Sequence, residues 1–284
     1  MRVVLDTDIG SDVDDALALG VLLGSSTVDD LAVTTVYGDT LLRARLAGRL
    51  AELAGRRLTV VAGEPETMSG KPVWWAGHEG AGYDDLESVP VARSTAVDFL
   101  VNTVAARPGE VDVVAVGPLT NIARAIVAST DFAAQVRHLY VMGGRFDGAG
   151  KPEHNVASDI DAARAVFSSA IPCTVTGLDV TTRVRIHAAE VDRIAAAGEF
   201  GAALKRQIRT WWQFTGEAGN VPHDPLAVLT LLEPDAFEYA TGTIHIGPDG
   251  TSTLRAGDGP ARVATAVDAP RAVEAMVSRI VAAG

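Results

Sequence analysis

The stretch Val4-Leu5-Asp6-Thr7-Asp8-Ile9-Gly10-Ser11-Asp12-Val13-Asp14-Asp15-Ala16 limits what this chain can fold into more than any other. It sets five carboxylates within ten residues, directly after an apolar run. A helical apolar pattern follows from Ala16 to Leu23. The order is a buried strand, a short acidic turn, then a helix. Asp6 and Asp8, two apart, point to one side of an extended strand end. Gly10 admits a sharp turn. Asp14 and Asp15 fall in the first helical turn, where free N–H groups and the helix dipole favour negative charge. The remaining acids crowd the carboxyl end of a strand, where open α/β sheets bind their ligands. Like charges this close call for a bound cation or a shared proton. Oxygen donors with almost no sulfur or imidazole nearby favour a hard ion, Ca²⁺ or Mg²⁺. The plain alternative is a solvated acidic turn with a good N-cap. The spacing, after a strand and before a helix, favours a metal or catalytic site.

The rest of the chain repeats this alternation. Strands are expected at Arg2–Leu5, Leu31–Tyr37, Leu58–Val61, Val111–Val116, His138–Met142 and Cys173–Thr176. Helical spacing separates them at Ala16–Leu23, Leu41–Ala54, Thr95–Ala106, Leu119–Ser129 and Ile160–Ser169. Near-continuous apolar strands alternating with helices predict an α/β fold: an open, mainly parallel, Rossmann-like sheet with helices on both faces. A helical region from Ala188 to Leu232 comes next. Thr243–Ile246 and Thr253–Leu254 around Gly247-Pro248-Asp249-Gly250 read as a hairpin, a small antiparallel addition near the C-terminus. Pro270–Ala283 reads as a last helix. No linker or repeat divides residues 1–284, so one domain is expected.

Composition narrows the partners. A formal net charge of -12 argues against nucleic acid and against anionic membranes. No apolar run reaches the length of a membrane span without charges or breaks. The start lacks the long apolar region of a secretory signal. The one cysteine, Cys173, excludes an internal disulfide. A cytoplasmic setting is the default expectation.

Further candidates lie where strands end. Asp39, after the second strand, is level with Asp8 and is either a helix N-cap or a site group. The long loop from Gly63 to Pro90 holds Trp74, Trp75, His78, Glu79 and Tyr83 and reads as a lid or binding loop. Its two tryptophans either anchor the loop or stack on a ligand. Gly117-Pro118-Leu119-Thr120-Asn121 is, by itself, a turn and a helix start. Met142-Gly143-Gly144 permits close approach by a ligand. Glu153 and Asn155, on alternating positions, can grip hydroxyls, with His154 between them facing away. Asp179 caps or braces. In His223-Asp224-Pro225, the proline makes Asp224 a natural N-cap. Trp211-Trp212-Gln213-Phe214 is either core at helical spacing or a stacking surface.

The acidic motif resembles the N-terminal fingerprint of the nucleoside hydrolases, the inosine-uridine-preferring N-ribohydrolase family, Asp-x-Asp-x-Gly-x-Asp-Asp-Ala, here with two extra residues in the turn. Thr34-Thr35-Val36-x-Gly38 is similar too, although Asp39 follows where the family usually has Asn. So are Gly77-His78-Glu79-Gly80, the Gly117–Asn121 turn, Glu153-x-Asn155-x-x-x-Asp159 and His223-Asp224-Pro225. The likeness runs from Val4 to about Leu229. It implies Ca²⁺-dependent hydrolysis of the N-glycosidic bond of ribonucleosides to ribose and free base. Asp8, Asp15, Asp224 and the Thr120 carbonyl would hold the ion, and Asp8 would deprotonate the water that the ion activates. Asp14 and Asp224 would orient the ribose hydroxyls, while Glu153 and Asn155 hold the rest of the sugar. Asp39, His78, Met142 and Trp212 would complete the substrate site. His223 would be the acid for the leaving base. A second Asn carried by many members has no counterpart, and Asp12 receives no role. The resemblance also implies a homodimer or homotetramer. Two other readings stay open. One is a Mg²⁺ phosphatase of the haloacid-dehalogenase type using Asp6 and Asp8, although Gly10 stands where Thr or Val is usual. The other is a non-catalytic riboside binder. A calcium-sensor loop is weaker, because no Glu closes it.

Overall fold

Nine strands join in a single sheet of order β3-β2-β1-β4-β5-β6-β9-β7-β8. The protein is described by a computed structural model covering residues 1–284. The first half of the chain forms β1 (Arg2–Thr7), α1 (Asp14–Leu23), β2 (Asp30–Thr35), α2 (Thr40–Leu53), β3 (Thr59–Ala62), α3 (Ala96–Ala106), β4 (Val111–Ala115), α4 (Thr120–Ala128), α5 (Phe132–Gln135) and β5 (His138–Met142). The second half forms α6 (His154–Ser158), α7 (Ile160–Phe167), β6 (Cys173–Thr176), α8 (Leu178–Thr181), α9 (Ala188–Ala195), α10 (Gly198–Thr215) and α11 (His223–Leu232). It closes with β7 (Phe237–Ile246), β8 (Ser252–Ala256), β9 (Ala261–Val267) and α12 (Ala269–Ala283).

The strands from β3 to β9 in that order run parallel, and β7 and β8 are added antiparallel at one edge. β1 pairs with β2 on one side and β4 on the other. The chain therefore winds outward from β1 to β3, then returns to continue from β4. At such a reversal the loops after β1 and β4 part in opposite directions and leave a crevice at their carboxyl ends. The acidic turn follows β1 directly into it.

Alternation along β1 shows why two helical layers are needed. Val3 and Leu5 join one buried cluster and Val4 the other. The first cluster is completed by α1, α2 and α9 to α12, the second by α3, α4 and α7. All ten residues of α1 are buried, because the helices α2, α11 and α12 pack around it. This accounts for its apolar character on every side. No helix is long and apolar enough to cross a membrane.

The C-terminal third differs from the sequence expectation in two respects. The helical region Ala188–Leu232 is three helices. Gly216, left-handed at φ 72°, ends α10, and Pro222 precedes α11. The break lets α11 turn back and bring Asp224 to the crevice. The second difference is β9, which runs parallel to β6 and antiparallel to β7 and so welds the hairpin to the main sheet. Its sequence, Ala-Arg-Val-Ala-Thr-Ala-Val, has weak intrinsic strand preference and is a strand because partners flank it on both sides.

Gly24, just after α1, shows how closely α12 approaches. A Cβ there would lie 1.7 Å from the carbonyl oxygen of Arg279. Gly24→Ala is expected to force the two helices apart at a cost of roughly 3 kcal/mol, seen as a melting temperature several degrees lower. An unchanged melting temperature would rule out this contact.

Candidate active site

Backbone turns rarely survive a concentration of like charge without a counterweight, and here α2 supplies one. Arg43 is buried, its guanidinium turned toward the acidic loop. Its Nε donates to the carbonyl of Tyr37 at 2.7 Å. Nη1 donates to the carbonyls of Asp8 and Ile9, the latter at 2.8 Å. Nη2 reaches the Ser11 hydroxyl at 3.3 Å. The ring of Trp75 lies 4.8 Å from the guanidinium carbon. Planar and always charged, Arg can grip several carbonyls at once. Nothing in the spacing of α2 sets Arg43 apart from Arg45 or Arg49, so the sequence does not mark it as a site residue.

The loop so held turns at Gly10, whose φ of 122° excludes most side chains. Beyond it the chain enters α1 with Asp14 and Asp15 both buried. α11 brings Asp224 from the far end of the sequence, and one ligand oxygen from each of Asp14, Asp15 and Asp224 lies within 4.8 Å of the others. Asp8 and Asp12 line the same cavity, about 410 Å³ in volume, a size suited to a small polar ligand. Burial, then mutual repulsion, pushes the carboxyls of Asp14, Asp15 and Asp224 well above the usual range. Burial raises Asp8 too, with Arg43 and His154 pulling it back. Asp12 is pushed up to about 7, by burial and then by Asp15 and Asp8. The Thr7 hydroxyl donates to Asp15. Acids in this condition hold extra protons or a cation, and an all-oxygen donor set suits a hard divalent ion.

The opposite wall comes from β5 and α6. Glu153 accepts the backbone N–H groups of Asn155 at 2.7 Å and of Val156 and Gly144 at 3.0 Å. Asn155 donates to the carbonyls of Val116 at 2.7 Å and Met142 at 3.3 Å. Its Nδ2 is thus spent inside the protein and its Oδ1 remains as an acceptor. Met142, Glu153 and Asn155 all line the cavity, and so does His154. The expectation that His154 faces away is corrected: the one-turn helix α6 swings it beside Trp74, ring centroids 5.8 Å apart. His223 lines the cavity from the α11 side, its Nδ1 sharing a 2.7 Å hydrogen bond with the Thr181 hydroxyl. Burial, with Arg185 adding to it, pushes its pKa down to about 4.

Other sequence candidates sit apart from this cavity. Asp39 is exposed and accepts from the Leu42 N–H as N-cap of α2. Trp212 points to Asn220, to which its Nε1 donates. Trp211, one residue earlier, lines the cavity instead, because helical spacing turns adjacent residues about 100° apart. His78 lies in the loop from Gly63 to Pro90, where its Nε2 donates to the Ser11 carbonyl at 2.8 Å. Glu79 beside it accepts from the Ser11 hydroxyl at 2.7 Å. Both fasten that loop to the acidic turn. Thr120 opens α4, and its hydroxyl donates to Asp159 at 2.6 Å. Asp179 braces the Phe146 N–H at 3.1 Å. Asp6 is buried and accepts twice from Asn121 Nδ2, at 3.0 and 3.1 Å. Held that way it cannot serve as an exposed nucleophile, which removes the phosphatase reading.

A doubly wound sheet with an acid-lined crevice at its switch point offers a small polar ligand a cavity and a metal ion a cluster of buried carboxylates. Comparison with known proteins narrows the class. The family model for the inosine-uridine preferring nucleoside hydrolases matches residues 3–274. The chain is 31% identical over 268 residues to probable uridine nucleosidase 2 of Oryza sativa subsp. japonica, covering 88% of this chain and 79% of that protein. It is 29% identical over 267 residues to pyrimidine-specific ribonucleoside hydrolase RihB of Shigella flexneri serotype 5b, covering 87% and 84%. Among solved structures, the plant nucleoside hydrolase PpNRh1 matches with a TM-score of 0.89 at 26% identity over 98% of both chains. A purine-preferring ribonucleoside hydrolase from Gardnerella vaginalis matches with a TM-score of 0.87 at 26% identity, over 100% of this chain and 99% of that one. The chain belongs to the inosine-uridine preferring nucleoside hydrolase family. It is a hydrolase of the N-glycosyl bond of ribonucleosides.

Arg43→Met is expected to strand the Tyr37, Asp8 and Ile9 carbonyls and release the turn. Leaving a buried carbonyl without its donor costs about 1–3 kcal/mol. Arg43→Lys should recover little of it, since an ammonium cannot span the fork. Thermal melts of both variants test this, and a wild-type melt for either contradicts the clamp.

Proposed function

We propose that the chain is a Ca²⁺-dependent hydrolase of ribonucleosides, releasing ribose and free base. The observation that carries this reading is the meeting of Asp8, Asp14, Asp15 and Asp224, from opposite ends of the chain, in one cavity with His223. The named relatives include a probable uridine nucleosidase and a pyrimidine-specific hydrolase, so uridine is the first substrate to try. The donor chemistry fits the ion: buried carboxylates, crowded together, with oxygen as the only ligand type. Asp8, Asp15 and Asp224, which line the cavity together, would hold Ca²⁺, which when bound supplies positive charge to acidify a water and to gather the ribose diol; Thr120, apart from the cavity, is left out of that set.

The protein's own groups do the rest. Asp8 accepts the proton of the attacking water. Asp14 and Asp224 accept hydrogen bonds from the 2′- and 3′-hydroxyls and fix the sugar for in-line attack. Asn155 offers Oδ1, and Glu153, Met142 and Asn155 hold the far side of the ribose. As the bond to the base lengthens, the sugar gains positive charge, which the surrounding carboxylates stabilise. His223 enters as a neutral ring at neutral pH. With the Thr181 hydroxyl donating to Nδ1, its Nε2–H assists the departing base by a hydrogen bond. Trp74 and Trp211 flank the base, and His78 closes the loop over it. Asp39 and Trp212 act at one remove, Asp39 by capping the helix that carries Arg43 and Trp212 by holding Asn220. A cytoplasmic homodimer or homotetramer completes the reading, and the buried, unpaired Cys173 suits a reducing compartment.

The test is release of free base from a panel of purine and pyrimidine nucleosides, with and without a calcium chelator. Turnover of uridine that the chelator abolishes and added Ca²⁺ restores is expected. Asp8→Ala should stay folded and lose at least about a hundredfold in kcat; undiminished turnover would end the assignment of Asp8. Ca²⁺ should raise the melting temperature, by about 2.7 kcal/mol of stability at a hundredfold excess over Kd. Asp15→Ala should abolish that rise, whereas Asp14→Ala should keep it and raise KM. The reverse pattern would exchange the two roles.

A further inference from the structure

Tyr37 carries a left-handed backbone at φ 69°, the only non-glycine residue to do so, and it is buried. An aromatic residue holds that conformation only where its neighbours over-determine it, and such residues gather at functional sites. Every polar group of Tyr37 is engaged. Its N–H donates to the Glu64 carbonyl at 2.9 Å, and its own carbonyl accepts from Arg43 Nε at 2.7 Å. Its hydroxyl accepts the Trp74 backbone N–H at 2.7 Å and the Ser158 hydroxyl at 3.4 Å. Its ring stands edge-on to His154, centroids 6.0 Å apart at 81°. Trp74 and His154 in turn touch each other and line the cavity.

One strained residue thus joins the end of β2, the Arg43 clamp and two aromatic groups at the mouth of the cleft. Packing alone would not need the hydroxyl, because Phe fills the same space. The hydroxyl is spent on the backbone of Trp74, which is otherwise exposed in a long loop. We propose that Tyr37 is a positioning residue that sets how far the Trp74–His154 edge closes over the substrate. The proposal rests on the nucleoside reading of the cleft for its kinetic consequence, but not for its effect on the loop.

Two variants and two readouts test it. Tyr37→Phe removes the hydroxyl and keeps the ring. Tyr37→Asn accepts the left-handed backbone and removes the ring as well. Hydrogen exchange at the Trp74 amide reports the latch without substrate, and should quicken about fivefold in Tyr37→Phe, the worth of one neutral hydrogen bond. With nucleoside, KM should rise about fivefold in Tyr37→Phe and further in Tyr37→Asn, with kcat within about twofold of wild type. Wild-type exchange at Trp74 in both variants overturns the latch. Faster exchange with unchanged KM, or a fall in kcat alone, overturns the positioning role. Faster exchange in Tyr37→Phe, with no nucleoside split by the unmodified enzyme, upholds the latch and defeats the nucleoside reading instead.

Discussion

Several carboxylates share one buried turn here, and the grip of Arg43 on the backbone carbonyls beneath them is what makes that possible. The guanidinium touches none of the acid groups of the cluster. It holds Tyr37, Asp8 and Ile9 by their main-chain oxygens, and its positive charge partly offsets the rise that burial imposes on the carboxyls of Asp8 and Asp15. The turn can then keep its side chains free for a ligand. A direct ion pair would have neutralised the acids and closed the site. A cation bonded to the main chain fixes the loop and leaves the charge available.

The rest of the site is arranged around that held turn. α1 is buried on all sides and has no freedom to shift when Asp14 and Asp15 repel their neighbours. α11 lies against it and delivers His223 and Asp224 together. On the other wall, Glu153 and Asn155 are held by backbone partners before any ligand arrives. A site whose groups are already satisfied and fixed reorganises little on binding, and this is where much of an enzyme's rate advantage lies. The long loop contributes differently. It is pinned at Ser11 through His78 and Glu79, at Asp159 through Met68 and Ser69, and at Tyr37 through Trp74. Each pin ends on an element that also shapes the cavity.

Asp159 illustrates how motif residues can matter without touching a ligand. It is fully buried, caps α7 through the Ala162 N–H, and ties the loop and the Thr120 hydroxyl to the same point. Its place in the Glu-x-Asn-x-x-x-Asp pattern is explained by that junction. Asp6 is a parallel case. Its spacing from Asp8 suggests chemistry, yet it is locked to Asn121, which also bonds the Thr35 carbonyl and the Glu64 N–H. It ties β1, β2 and α4 together below the cleft.

Periodicity was enough to read the alternation of strands and helices, because parallel strands covered on both faces must be apolar throughout. The acidic turn after β1 was legible because too many carboxylates fall there for capping to absorb. The same logic missed β9 and ran α9, α10 and α11 together, since an Ala-rich strand and a helix break depend on what lies beside them. Single residues were read least well where neighbours in sequence face different ways. Trp211 and Trp212 divided between cavity and support, and His154 turned inward on a helix too short to leave a pattern. Arg43 and Tyr37 carry no mark at all in the sequence, one an ordinary helical arginine and the other an aromatic residue before a glycine. A chain can declare which residues it has in surplus. Which of them meet, and which main-chain atoms they hold, is decided only when segments far apart in sequence compete for the same few ångströms.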